Sequence, residues 1–85
     1  MKEFNYTIKD EMGIHARPAG LFVKEAAAFP CAVTITKDGK EVDAKRIFGV
    51  MGLGVKCGQE ITLKTDGEKE EEAMETLSKF LEENL

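Results

Sequence analysis

The hexapeptide at residues 13–18, Gly-Ile-His-Ala-Arg-Pro, contains the only histidine of the chain and has the composition of an anion-binding helix start. Proline suits the first turn of a helix, and the first amides of a helix have no intrahelical partner and point toward a bound anion. Arg17 adds a permanent cation with donors that match phosphate geometry. The positive helix end and Arg17 both disfavour imidazolium, so we expect a neutral His15 ring that can act as a nucleophile.

Metal chemistry has weak support in this sequence. The two cysteines, Cys31 and Cys57, form no CxxC pair, and both lie far from His15 along the chain. Metal sites built from these residue types use closely spaced ligand pairs. We therefore predict no metal ion and no cofactor, and we expect both thiols to be unpaired and partly buried.

The hexapeptide lies between a predicted strand and a predicted helix. Apolar and polar residues alternate over residues 4–9, which predicts a half-buried strand. From Pro18, apolar residues recur at helical spacing, and the Phe29-Pro30 pair ends this helix because the residue before proline avoids the α region. His15 is therefore expected at a strand-to-helix junction.

The rest of the chain predicts three further strands and two further helices. The pair Asp38-Gly39 is a strong hairpin signal between two strands. An acidic run at residues 68–72 matches the dipole of a helix start and predicts a solvated helix end, not a binding tail. In chain order the predicted elements are a strand at 33–36, a strand at 41–43, a short helix at 45–53, a strand at 61–64 and a helix with its apolar stripe at 73–81.

This order predicts an α+β fold: a two-layer, open-faced β-sandwich of split βαβ type, with a four-stranded antiparallel sheet and three helices on one face. With 85 residues, the chain has room for one core, and we expect a single domain over residues 1–85.

Charge and hydropathy narrow the classes of function. The net charge of −4 argues against general nucleic-acid binding, which needs a basic surface. Apolar runs are only a few residues long, so we predict no insertion into a membrane. The N-terminus lacks the apolar stretch and cleavage site of a signal peptide, and we expect a cytoplasmic protein.

Two motifs resemble those of the HPr family, the histidine-containing phosphocarrier proteins of the phosphoenolpyruvate-dependent sugar phosphotransferase system. Residues 13–19, Gly-Ile-His-Ala-Arg-Pro-Ala, resemble the active-site signature of the family, and residues 45–54 resemble its second motif with one departure. The resemblance extends over essentially the whole chain, including its length, the position of the histidine and the order of elements.

The resemblance implies a phosphoryl carrier and not an enzyme. His15 would accept the phosphoryl group on Nδ1 from phosphorylated enzyme I and pass it to the IIA domain of a sugar permease. Arg17 would steady the group, and the amides of Ala16 and Arg17 would stabilise it further. We expect a monomer, since the apolar residues suffice for only one small core.

The resemblance also implies a docking surface on the short helix within residues 45–53. Its apolar candidates are Ile47 and Met51, together with Phe48 and Leu53, although these side chains could instead belong to the core. A basic rim would come from Lys24, Lys45 and Arg46, with ordinary solvated lysines as the alternative. The glycines of this segment match neither GxGxxG nor GxxxxGK[ST], so a nucleotide site is not predicted.

The departure lies at position 46, where much of the family has a serine that a regulatory kinase phosphorylates. Arg46 has no hydroxyl, so we predict that this switch is absent. Two positive charges, Lys45 and Arg46, at a helix start predict a frayed or shifted start.

Two alternatives remain open within the resemblance. A regulatory, nitrogen-type phosphorelay would use the same chemistry. A purely protein-binding regulator would not, and the presence of His15 argues against it. A small-molecule-binding module of another class has little support, because no second polar cluster is visible.

Overall fold

The computed structural model describes residues 1–85 and contains the predicted α+β architecture. A four-stranded antiparallel sheet is covered on one face by three helices. In chain order the elements are β1 (Lys2–Thr7), α1 (Ala16–Ala27), β2 (Ala32–Lys37), β3 (Lys40–Asp43), α2 (Ile47–Gly52), β4 (Glu60–Asp66) and α3 (Glu70–Asn84).

The sheet has the strand order β1-β4-β2-β3, so β1 and β3 form its two edges. Phe4 of β1 pairs with Leu63 of β4. The strand β2 separates β4 from β3, so Leu63 is not adjacent to β3. The hairpin between β2 and β3 turns at Asp38 and Gly39, whose φ angles are 50° and 80°. Both central residues therefore have the positive φ that a tight two-residue hairpin needs.

The alternating side chains of the strands and the stripes of the helices meet in one core. Nineteen buried hydrophobic residues form a single cluster between the sheet and the helices, from Tyr6 to Leu85 along the chain. Phe22 of α1 meets Phe80 of α3 edge to face, with ring centroids 5.6 Å apart. This packing fixes α1, and with it the site at its N-terminus, on the sheet.

Three element boundaries differ from those predicted. The strand β1 runs over Lys2–Thr7 instead of residues 4–9, although Ile8 still packs in the core. The helix α1 begins at Ala16, two residues before the apolar pattern that starts at Pro18, and Pro18 lies in its first turn as predicted. The helix α2 is confined to Ile47–Gly52, because Asp43 accepts the N–H of Lys45 at 2.9 Å and holds the preceding residues in a turn.

Two lysines bind main-chain oxygens where helices end. Lys45 Nζ donates to the carbonyl oxygen of Phe29 at 2.7 Å, just beyond α1. Lys37 Nζ donates to the carbonyls of Leu53 and Gly54 at 3.1 and 3.3 Å, just beyond α2. A cation at a helix C-terminus satisfies unpaired carbonyls and complements the helix dipole.

Both cysteines are free thiols, but they differ in exposure. Cys31 is buried as part of the core, whereas Cys57 is exposed, so the expectation of partial burial is wrong for both. No helix of the structure is long and apolar enough to cross a bilayer.

Candidate functional site

The loop between β1 and α1 carries the candidate site and is anchored at several points. The N–H of Asp10 donates to the main-chain oxygen of Leu85 at 2.8 Å, and the N–H of Ile14 donates to Val55 at 3.0 Å. Between these anchors, the N–H of Gly13 donates to the carbonyl of Asp10 at 2.9 Å and closes a tight turn. The loop is thus fixed on both sides of this turn.

Gly13 permits this arrangement for two reasons. Its φ of 68° lies in the left-handed region, which favours glycine. A Cβ atom at this position would lie 2.2 Å from the carbonyl oxygen of Val55 and 2.7 Å from Cα of Lys56. Only a residue without a side chain lets the two loops approach this closely, and the approach places His15 at the start of α1.

His15 is the N-cap residue of α1. Its backbone is extended, with φ −118° and ψ 176°, and its side chain makes no capping hydrogen bond. Its carbonyl accepts the first helical hydrogen bond, from the N–H of Ala19 at 2.9 Å. The imidazole is consequently not used to cap the helix, and its side chain is one-third exposed, at 32%.

The amides that follow His15 have no acceptor within the protein. No main-chain or side-chain oxygen accepts the N–H groups of Ala16 and Arg17. Pro18 has no N–H group, so these two amides are the available donors in the first turn. They point outward from the positive end of a helix, which is the arrangement that binds phosphate groups.

The guanidinium group of Arg17 is exposed and makes no ion pair or hydrogen bond with the protein. A cation without an internal partner, next to unpartnered amides, is available to an external anion. The structure therefore leaves the amides of Ala16 and Arg17 and the guanidinium of Arg17 without a protein partner, at the helix end where His15 is the N-cap residue.

A carboxylate that the sequence analysis did not identify completes the surroundings of His15. Asp10 Oδ2 lies 3.6 Å from His15 Nε2, and the two side chains have similar exposure, 29% and 32%. The turn signature of Asp10, with glycine three residues later, is visible in the sequence. The direction in which Asp10 Oδ2 points depends on the path of the folded loop, and no pattern in the sequence predicts it.

Three apolar side chains of α2 are exposed together: Ile47, Phe48 and Met51, which we name the α2 patch. Phe48 is 89% exposed, and Ile47 and Met51 are each 37% exposed. Ile47 lies against α1 at Gly20, one helical turn from Ala16, which places the patch on the same side of the molecule as the site. Leu53, by contrast, is buried in the core, so its inclusion among the docking candidates is wrong.

The predicted basic rim is dispersed. Lys24 is exposed in the last turn of α1, about 12 Å along the helix from its start. Lys45 is half-buried and holds the carbonyl of Phe29, so its ammonium is already bound within the protein. Arg46 is exposed, and its Nε lies 3.7 Å from Asp43 Oδ2. Of the three, Lys24 and Arg46 extend furthest into solvent.

Arg46 is also the N-cap residue of α2 and makes no side-chain cap. The helix starts at the following residue, two positions later than the predicted Lys45, which agrees with the expected shifted start.

Residues 2–83 match the family model for the PTS HPr component phosphorylation site. The chain is 49% identical over 82 residues to the HPr-like protein Crh of Halalkalibacterium halodurans, covering 96% of this chain and 98% of that protein. It is 42% identical over 83 residues to the phosphocarrier protein HPr of Lysinibacillus sphaericus, covering 98% and 94%.

Solved structures show the same fold. A crystal structure of HPr from Thermoanaerobacter tengcongensis superposes with a TM-score of 0.92 at 45% identity, covering 96% of this chain and 92% of that chain. The crystal structure of Bacillus subtilis Crh, described as an intertwined dimer with a swapped domain, superposes with a TM-score of 0.79 at 45% identity, covering 94% and 92%.

Proposed function

Because this chain belongs to the HPr family, we propose that it is a phosphoryl carrier whose acceptor atom is Nδ1 of His15. The observation that carries the proposal is the imidazole at the N-cap of α1, beside two unpartnered amides and the unpaired Arg17. A nucleophile next to preorganised donors is what phosphoryl transfer requires, since positioning and electrostatics supply most of its catalysis.

The reaction is a displacement at phosphorus. The lone pair of Nδ1 forms the new nitrogen–phosphorus bond while the bond between phosphorus and the donor atom breaks and its electron pair returns to the donor. The amides of Ala16 and Arg17 and the guanidinium of Arg17 donate to the phosphoryl oxygens. The bond energy is retained in the new bond, so the same residues serve both loading and unloading.

The partners that follow from this role are phosphorylated enzyme I as donor and the IIA domain of a sugar permease as acceptor. The α2 patch, on the same side of the molecule as His15, would be the surface that both partners contact. Exposed apolar side chains suit transient interfaces, and methionine adapts to different partner surfaces. The chain is the covalent intermediate of this transfer and not its catalyst.

Incubation with enzyme I and phosphoenolpyruvate, followed by intact-mass measurement, tests the proposal. We expect the mass to rise by one phosphoryl group, and the product to be acid-labile and stable in alkali. The variant His15→Ala should show no increase. Labelling of that variant, or no labelling of the wild-type chain, would contradict the assignment.

A second candidate function is a regulator that acts by binding alone, and the high identity to an HPr-like protein named Crh favours it. Such a regulator would use the α2 patch without needing His15. Binding of a regulatory partner with equal affinity by wild-type, His15→Ala and phosphorylated protein would support this second function. A binding affinity that changes on phosphorylation would support a carrier with a regulatory, phosphorelay role.

We further propose that the serine switch of the family is absent from this chain, since Arg46 stands at the N-cap of α2 and no Ser or Thr occurs between Thr36 and Thr62. Incubation with such a kinase and ATP should leave the chain unmodified, whereas Arg46→Ser should be phosphorylated. Modification of any Ser or Thr in the wild-type chain would show that a switch survives.

A further inference from the structure

Asp10 is held in one orientation by the turn that it starts. Its Oδ1 accepts the N–H of Met12 at 2.9 Å, and its carbonyl accepts the N–H of Gly13 at 2.9 Å. Its own N–H donates to the main-chain oxygen of Leu85 at 2.8 Å. One carboxylate oxygen is therefore occupied by the turn, which leaves Oδ2 as the atom that faces the rest of the loop.

Oδ2 faces His15 Nε2 at 3.6 Å. This separation is longer than a hydrogen bond, and the contact is therefore an electrostatic one. The other side of the site is positive, since it contains the amides of Ala16 and Arg17 and the Arg17 guanidinium. His15 thus has a negative group beside Nε2 and is itself the N-cap residue of a positive helix end.

We propose that Asp10 is a positioning residue for phosphoryl transfer, acting through His15 by keeping the proton of the neutral ring on Nε2. This inference rests on the proposed carrier function. The nitrogen of a histidine that carries the proton is set by the partner of the ring, and here the carboxylate favours N–H at Nε2. Nδ1 then keeps its lone pair and is the nucleophile.

Asp10 also acts after the transfer. When Nδ1 attacks phosphorus and the donor atom leaves with its electron pair, the proton on Nε2 stays in place. The ring of phosphorylated His15 then has a formal positive charge, and Asp10 Oδ2 is the carboxylate of the protein that lies beside it. At this distance in water, two unit charges interact strongly enough to change an equilibrium by about fivefold to tenfold.

The variant Asp10→Asn tests the proposal, because its amide oxygen still accepts the N–H of Met12 while the charge is lost. Glu11→Gln is the matched control, since Glu11 is exposed, adjacent in sequence and free of ion pairs. Asp10→Ala removes both the charge and the turn hydrogen bond. The three variants separate the electrostatic contribution of Asp10 from its structural one.

The first measurement is the ¹⁵N chemical shifts of the His15 ring in unphosphorylated protein at alkaline pH, where the ring is neutral. We expect the fraction with N–H at Nε2 to be highest in wild type and Glu11→Gln and to fall in Asp10→Asn. Identical ring shifts in wild type and Asp10→Asn would overturn the proposal. This readout needs no partner, so it decides on Asp10 even if His15 proves not to be phosphorylated.

The second measurement is the rate of phosphorylation by enzyme I, relative to Glu11→Gln. We expect Asp10→Asn to be about fivefold to tenfold slower at low ionic strength, with a smaller difference at high salt, because the pair is partly exposed. An equal or faster rate in Asp10→Asn would contradict the proposal. If the rate of phosphorylation falls only in Asp10→Ala, Asp10 serves only to hold the turn, and this result would also contradict the proposal.

Discussion

His15 has two roles in the local structure that depend on different parts of the residue. Its backbone ends the loop and accepts the first hydrogen bond of α1, while its ring is left free by the absence of a side-chain cap. The usual capping residues would instead direct their side chains to the helix amides. Because His15 does not, the amides of Ala16 and Arg17 stay available beside the ring.

Arg17→Ala removes the cation of the site and leaves the helix amides in place. Arg17 has no partner within the protein, so the fold should be unchanged. A hydrogen bond to a charged group contributes about 1.5–3 kcal/mol, and we expect transfer to be roughly tenfold to a hundredfold slower. Stopped-flow measurement with both donor and acceptor checks this, and wild-type rates with both partners would refute the role of Arg17.

Gly13→Ala should destabilise the protein by about 1–3 kcal/mol or more, because it adds left-handed strain to a clash with Val55. Gly54→Ala is the matched control: its φ of 61° is similar, and no atom lies within 4 Å of an added Cβ. Urea unfolding of both variants isolates the clash. Equal destabilisation would show that the contact with Val55 contributes nothing.

At the scale of elements, the features that could be predicted from the sequence are those that depend on the pattern of neighbouring residues. The hairpin at Asp38-Gly39 and the apolar stripe of α3 were correct, since the turn type and the helical period are properties of neighbouring residues. The burial of Leu53 was not predictable, because it depends on how the end of α2 packs. The contact of Asp10 with His15 likewise arises from the path of the loop in three dimensions.

The α2 patch should contribute to association and not to stability. Phe48→Glu and Met51→Glu should weaken binding to enzyme I and to IIA, since they place a charge in an apolar contact. For the highly exposed Phe48, we expect the free energy of unfolding to change by no more than about 0.5 kcal/mol. Titration calorimetry and thermal melting measure the two effects.

Ala32→Glu is the control for this pair of variants, because it adds the same charge to an exposed position of β2. It should leave both associations unchanged. A large fall in melting temperature for Phe48→Glu, or equal weakening by Ala32→Glu, would contradict the assignment of the patch.

The start of α3 should contribute a pH-dependent part of the stability through Glu70. The hydrogen bond from the Met1 ammonium at 2.7 Å, together with that from Gly67 N–H, lowers the pKa of Glu70 below its ordinary value of 4.5. A carboxylate with a lowered folded pKa stabilises the fold above its unfolded pKa, and this contribution is lost as the pH falls through the folded pKa.

Glu70→Gln should therefore be less stable than wild type at neutral pH, with the difference vanishing in acid. Urea midpoints measured from neutral pH to below the folded pKa of Glu70 test this. Glu72→Gln, which removes a neighbouring carboxylate of the same turn without a hydrogen-bond partner, should show a smaller pH-dependent difference. Parallel curves for the two variants would sink the role assigned to Glu70.

At the scale of the whole molecule, a single chain forms the complete core and the complete sheet. The radius of gyration is 11.3 Å, near the value of about 12 Å for a globular chain of this length. We expect a monomer of 9.4 kDa, although the related Crh of Bacillus subtilis is described as a swapped, intertwined dimer. β1 is an edge strand that pairs only with β4, so it is the strand we expect to exchange in such a dimer. Its exchange would reproduce contacts that the monomer already has, so association would gain little against its entropic cost.

The loop at residues 8–15 would be the hinge of such an exchange, and its tight turn keeps the monomer closed. Gly13→Ala strains this turn, and an extended hinge releases the strain because it needs no positive φ. The test is light scattering after refolding at a series of protein concentrations between micromolar and millimolar. Wild type and Gly54→Ala should be monomeric throughout. Gly13→Ala should show a fraction of dimer that rises with the protein concentration. A wild-type dimer that persists on dilution would contradict the first expectation, and a purely monomeric Gly13→Ala would show that the turn does not control exchange. The same turn orients Asp10 toward His15, and an extended hinge lacks this turn. Any exchanged dimer should therefore also transfer the phosphoryl group more slowly than the monomer from which it formed.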